Sequence, residues 1–261
     1  MELDDAFANA AYIPDGDTYP DKWAALAAAF RTTALCELDL PYGEGQRHRF
    51  DLFHPPRLAR GVVVFVHGGY WRQFDKSYWS HLAAGPMAHG WAVAIPSYDL
   101  CPDASIPEIG DQISAAIGVI SQRVLGPILL VGHSAGGQLV ARMTAPRLPE
   151  PWHDRLTRVV PVSPVADLVP LMRTSMNADL RLDFDTARVE SPVNMSAPQI
   201  PVIVWVGGSE RPVFIDQAHA LSDMWGCALE VEPDKNHFDV VEGLSDPRSD
   251  LTRKLCGTTY N

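Results

Sequence analysis

Basic residues are in short supply: 21 Lys and Arg stand against 32 Asp and Glu in 261 residues, a formal net charge of -11. A protein that grips a phosphate backbone needs a basic stripe to displace counterions, and no Lys/Arg cluster interrupts the acidic excess. Nucleic acid is therefore not an expected partner, and anionic membrane surfaces are disfavoured for the same reason. Cysteine is sparse too. Cys36, Cys101, Cys227 and Cys256 are scattered and form no C-x-x-C pair, which removes zinc-ribbon and redox-motif readings. Four thiols could still form two disulfides. However, the acidic start, Met1 to Phe7, lacks the basic residues and apolar stretch of a secretory signal, so the expectation is a cytoplasmic protein with reduced thiols. Long apolar runs are missing: Val62 to Val66 and Ile128 to Val131 fall far short of the ~18 residues that cross a bilayer. The nine histidines show no H-E-x-x-H or comparable ligand spacing, so neither a metal nor an organic cofactor is expected. A small-molecule substrate is the expected partner, and a homodimer stays open.

What is present is an ordinary globular composition, 46% hydrophobic, organised as short apolar runs bounded by Gly or Pro. The runs at 61–67, 91–95, 127–131, 158–162 and 201–206 are rich in β-branched residues and hardly alternate, the pattern of strands buried on both faces. Between them the spacing predicts helices at Lys76 to His89, Ile106 to Val124, Ala135 to Thr144 and Val213 to Trp225. Such a β-α-β-α succession implies an α/β fold: a mostly parallel central sheet with helices on both faces. Leu35 to Leu40 and Arg47 to Phe53 alternate more and predict an antiparallel hairpin at one edge, turning at Tyr42 to Gly45. The stretch from Ser163 to Pro198 breaks the rhythm with four prolines. It reads as a small cap insertion over the carboxyl ends of the strands, or else as an irregular loop. No linker divides the chain, so a single domain spanning 1–261 is the expectation.

The chemistry concentrates in Ile128 to Gly137. A buried strand runs into Gly132-His133-Ser134-Ala135-Gly136, and a helical pattern follows. A serine on a sharp strand-to-helix turn needs small residues two positions either side, and the turn leaves the Ala135 N-H at a helix N-terminus to donate to an oxyanion. A hydroxyl is a weak nucleophile at neutral pH, so a base and an orienting acid must accompany it. On sheets with this elbow they follow in the order acid, then histidine. His219 falls inside a helical pattern, whereas His237 lies in a polar loop after the strand-like Cys227 to Val231, and His237 is the candidate base. Glu210 is the first carboxylate after the 201–206 run and the candidate acid, with Asp216 and Asp239 as rivals. Upstream, His67-Gly68-Gly69-Tyr70-Trp71 places a glycine pair after a buried strand, making the Gly69 and Tyr70 amides candidate oxyanion donors. His67 itself reads as a brace for that loop.

These residues resemble the α/β-hydrolase fold esterases, and among them the kynurenine formamidase (arylformamidase) group. The resemblance rests on His67 to Trp71, Tyr98 to Pro102, Gly132 to Gly136, Val206 to Phe214 and His237 to Leu244, within roughly 35–255. It implies Ser134, Glu210 and His237 as a catalytic triad and N-formylkynurenine or a similar formamide as substrate. The family generally has aspartate where Glu210 stands. Tyr70, Trp71 and Tyr98, with parts of 163–198, are the candidate wall for an aryl leaving group. A general carboxylesterase or thioesterase is the alternative, and a non-catalytic binding protein on the same fold is the reading from another class.

Overall fold

The structure is a computed structural model and describes residues 1–145 and 150–257. The first two strands, β1 (Cys36–Pro41) and β2 (Arg49–Phe53), form the expected antiparallel hairpin. The β-branched runs become β3 (Val62–Val66), β4 (Ala92–Pro96), β5 (Ile128–His133), β6 (Leu156–Val162) and β7 (Ile203–Gly207), followed by the edge strand β8 (Ala228–Glu232). They make one eight-stranded sheet in the order β1-β2-β4-β3-β5-β6-β7-β8. β2 pairs antiparallel with β4, and β4 to β8 run parallel.

The missing alternation has its expected cause. Every residue of β3, β4 and β5 is buried. Successive side chains enter opposite faces: Val62, Val64 and Val66 join one apolar cluster, Val63 and Phe65 the other. The first cluster is covered by α3 (Ile106–Arg123), α4 (Ala135–Arg142) and α7 (Pro212–Trp225). The second is covered by α1 (Tyr19–Arg31) and α8 (Asp250–Cys256). On α3, Ile109, Ile113, Ile117 and Ile120 are fully buried, each worth about 2 kcal/mol. Its start is held by a capping box, in which the Ser105 N-H donates to Glu108 at 2.7 Å.

One expected helix is replaced. Lys76 to His89 forms two 3-10 turns, Lys76–Tyr78 and Ser80–Ala83, before the short α2 (Ala84–Ala88). Single residues are pulled in different directions there. Lys76 reaches Asp39 and Asp51, each at 2.7 Å, and a Cβ on Gly85 would stand 2.4 Å from the Leu244 carbonyl. Such close backbone approach and separate anchoring do not need one continuous amphipathic face.

The 163–198 stretch contains a 3-10 turn at Val169–Arg173, α5 (Asn177–Leu180), α6 (Phe184–Glu190) and a further turn at Pro192–Asn194. It is packed rather than loose. Leu168, Leu171, Leu180 and Ala187 are buried in the first cluster, Gln138 of α4 donates to the Glu190 carbonyl at 2.9 Å, and Arg142 pairs with Glu190 at 3.2 Å.

Candidate active site

The carboxyl ends of β3, β5, β7 and β8 converge, and each brings one part of the site. Ser134 sits between β5 and α4 with φ 57° and ψ -116°, a strained conformation for any residue with a side chain. The turn is locked by proximity: a Cβ on Gly136 would lie 2.0 Å from the Val66 carbonyl. The Ser134 N-H donates to the Val162 carbonyl at 2.8 Å, tying the elbow to β6. As the first residue of α4, Ala135 has an N-H without an intrahelical acceptor.

After β3, the chain takes positive φ at Gly69 (108°), Tyr70 (51°) and Trp71 (55°). A side chain at Gly69 would press within 2.7 Å of the Gln73 carbonyl, so this tight loop needs glycine there. Neither Gly69 nor Tyr70 gives its N-H to a backbone acceptor among the described residues. His67 is fully buried, its Nδ1 donates to the Gly68 carbonyl at 2.8 Å, and burial pushes its pKa down to about 4. It therefore stays neutral and braces the loop.

Glu210 and His237 meet because their loops are laced together. The Gly208 and Ser209 amides, after β7, donate to the carbonyls of Glu232, at the end of β8, and Lys235, beyond it, at 2.8 and 2.9 Å. Asn236 then accepts the Phe238 and Asp239 amides at 2.8 and 3.1 Å, turning the chain at His237. The His237 Nδ1 stands 2.5 Å from Glu210 Oε2, and both side chains are nearly sealed from solvent. The other carboxylate oxygen of Glu210 accepts the Gly207 N-H at 2.7 Å and the Ser163 hydroxyl. Among the rivals, Asp239 is occupied by the Asn236 amide at 2.8 Å, and Asp216 is exposed on α7, as is His219.

Ser134 and His237 line one cavity of about 360 Å³ with Gly68, Gly69 and Tyr70. The expected aryl wall is corrected in three places. Trp71 and Tyr98 are completely buried and do not line this cavity. Trp71 turns inward, its carbonyl held by the Cys101 N-H at 2.7 Å. Tyr98 stacks on His67 at 4.3 Å and donates to its carbonyl at 2.9 Å, so it braces the loop from below. None of the described residues of 163–198 lines the cavity either. The opposite wall comes from the first 23 residues: Phe7 to Ala11, Asp17, Pro20 and Trp23 face Phe74, Trp79 and Phe238. Trp23 packs on Trp79 at 4.7 Å and on Phe238 at 5.4 Å, and the Tyr70 hydroxyl donates to the Phe7 carbonyl at 2.7 Å. No motif in the sequence marks this segment as part of a site; the alanine-rich pattern at Tyr19 to Arg31, opened by Pro20, is the available sign of a helix there.

His133 was also overlooked. Its Nε2 donates to the His237 carbonyl at 2.7 Å, and its ring lies 4.8 Å from that of His237. Burial, and then the proximity of His237, holds its pKa well below the usual value, so it stays an uncharged donor. A hydroxyl on a strained elbow, an imidazole facing the same space and a buried carboxylate on that imidazole are the parts from which acyl-transfer relays are assembled.

The chain belongs to the alpha/beta hydrolase fold family, whose model matches residues 63–198. It is a hydrolase of that fold. Over 247 residues it is 28% identical to a kynurenine formamidase of Salmo salar, covering 86% of this chain and 82% of the relative. Over 243 residues it is 26% identical to a kynurenine formamidase of Drosophila melanogaster, covering 83% and 79%. A crystal structure from Silicibacter sp. TM1040, provisionally described as a thioesterase, superimposes with a TM-score of 0.96 at 52% identity, over 99% of this chain and 100% of that one.

Proposed function

We propose that the protein is an arylformamidase that cleaves N-formylkynurenine or a similar aryl formamide through a Ser134-His237-Glu210 triad. The contact at 2.5 Å between His237 Nδ1 and Glu210, in a cavity shared with Ser134, carries this reading, and similarity to kynurenine formamidases over most of the chain supports the substrate class. Ser134 Oγ attacks the formyl carbon while His237 takes its proton. Glu210 stabilises the imidazolium, and the Gly69, Tyr70 and Ala135 amides receive the oxyanion, each such donor being worth about 3 kcal/mol. His237 then returns the proton to the leaving aryl nitrogen, and water attacks the formyl ester on Ser134 by the same relay. The glutamate side chain spans the required distance, since one oxygen meets His237 while the other keeps its backbone anchor. The aromatic wall of Trp23, Phe74, Trp79 and Phe238 suits a planar aryl group, and a formyl group asks for almost no space of its own.

The 52%-identical structure provisionally described as a thioesterase supports a second reading, an acyl thioester substrate. Turnover of N-formylkynurenine, p-nitrophenyl acetate and an acyl-CoA, measured side by side, separates the readings. The formamide is expected to be hydrolysed with the highest kcat/KM, and Ser134→Ala to remove that activity. A formamide rate no better than that of Ser134→Ala would end the arylformamidase reading.

A further inference from the structure

None of the described residues lining the cavity around Ser134 is a lysine or an arginine, and its exposed charge is the carboxylate of Asp17. A neighbouring groove of about 460 Å³ shares the wall of Pro20, Gln73 and Phe74 and opens onto Arg47 and Arg72. These two cations are in different states. Arg72 is taken up by Asp179, with contacts at 2.6 and 2.8 Å. Arg47 forms no ion pair with a carboxylate among the described residues. Its Nε donates to the Tyr98 carbonyl at 2.7 Å, and one Nη donates to the Phe74 carbonyl. Asp75 lines the same groove and lies within the field of Arg47, but it gives an oxygen to the Ser77 amide at 2.7 Å and does not pair with the guanidinium. Two neutral carbonyls thus fix the plane of the guanidinium without cancelling its charge, and its other Nη carries donors that no protein acceptor takes up among the described residues. The bond to Phe74 ties this cation to the back of a residue that lines the catalytic cavity.

We propose that Arg47 binds a carboxylate carried on the leaving group, so that the aryl ring occupies the cavity over Ser134 and an acidic tail passes the Gln73-Phe74 edge into the groove. This rests on the arylformamidase reading and deepens it by assigning the residue that holds the amino-acid tail, which that reading leaves without a partner. A guanidinium is suited to such a tail because its remaining N-H groups match the geometry of a carboxylate.

The test compares N-formyl-L-kynurenine with 2-formamidoacetophenone, which has the same ring and formyl group without the tail. Arg47→Met is expected to lower the ratio of their kcat/KM values about tenfold, through KM rather than kcat, and Arg47→Lys to recover part of the ratio. Equal loss on both substrates would reduce Arg47 to a brace for the two carbonyls and overturn the proposal, as would no loss on either. A measurement on the unaltered protein guards against misfolding: L-kynurenine should inhibit more tightly than 2-aminoacetophenone and lose that advantage in high salt, whereas equal inhibition would overturn the proposal. Should neither formamide be hydrolysed while aryl esters are, the formamidase reading falls and 4-acetoxyphenylacetate against p-tolyl acetate decides the Arg47 proposal by the same ratio. Failure to hydrolyse any of the four ends both.

Discussion

Glu210 is where one side chain is asked to do most. One oxygen faces His237 at 2.5 Å, and the other accepts the Gly207 amide and the Ser163 hydroxyl. Glu210→Gln should keep the backbone anchor but offer His237 only a neutral amide, with no charge to balance an imidazolium. A fall in kcat of about a thousandfold or more is expected under saturating substrate, with little change in melting temperature. Ser163→Ala removes one neutral donor from the carboxylate and should cost roughly fivefold in kcat, corresponding to about 1 kcal/mol. A result in which Ser163→Ala is as damaging as Glu210→Gln would mean that the serine does more than hold the acid. Of these candidate residues, the meeting of Ser134 and His237 in one cavity was legible from motif and order, and the contact of Glu210 with His237 from its place after the last long buried run. Ser163 and His133 were not, because each acts only through a contact with a residue at least 47 positions away, Glu210 for Ser163 and His237 for His133.

At the level of elements, the wall facing Ser134 is built by the first 23 residues rather than by the 163–198 stretch. One backbone hydrogen bond and two ion pairs hold the beginning of that segment in place. Leu3 donates to the Arg173 carbonyl at 3.3 Å, Glu2 pairs with Arg173, and Asp5 meets Arg211 at 2.9 Å. Exposed pairs of this kind contribute little individually and are screened by salt, so the buried Phe7 and its carbonyl bond to Tyr70 supply the firmer attachment. Removing residues 1–16 should strip one wall from the cavity over Ser134. An increase in KM of about tenfold for aryl substrates is expected, alongside a smaller change for a short aliphatic ester, both read from steady-state kinetics. Unchanged aryl KM would show that the segment is only packing. The hairpin β1-β2 and the buried strands were legible because alternation, and its loss, report burial directly. The 76–89 helix failed because a hydrophobic pattern does not reveal the close approach of Gly85 to Leu244.

For the whole molecule, burial of neutral histidines links stability to pH. His67 and His81 are each pushed down to about 4 by burial, and His133 also lies well below its ordinary value. Unfolded histidines take up protons near pH 6.5, while folded His67 and His81 stay neutral until the pH approaches 4. The unfolded state then binds more protons, so stability is full above about pH 6.5 and drains away as the pH falls toward 4. Thermal unfolding from pH 7.5 to 4.5 should show a melting temperature that is flat above about pH 6.5 and drops steadily below it. His81→Asn should flatten part of that slope, whereas a flat profile in the unaltered protein would contradict neutral burial. Among the described residues, no helix is long and apolar enough to cross a membrane.

The sequence by itself determined the α/β class, because strands buried on both faces must be apolar throughout and the helices between them must show one apolar stripe. It also determined the serine elbow, because only Gly132 and Gly136 permit so tight a turn at Ser134. Which aromatic residues line the cavity over Ser134 was decided by tertiary structure alone. Trp71 and Tyr98 stand beside the candidate site motifs in the chain yet are completely buried, while Trp23 stands far from them and lines the cavity. Motif neighbours share a loop, but a cavity is bounded by whatever elements the sheet order brings together, and that order is set by contacts between distant runs.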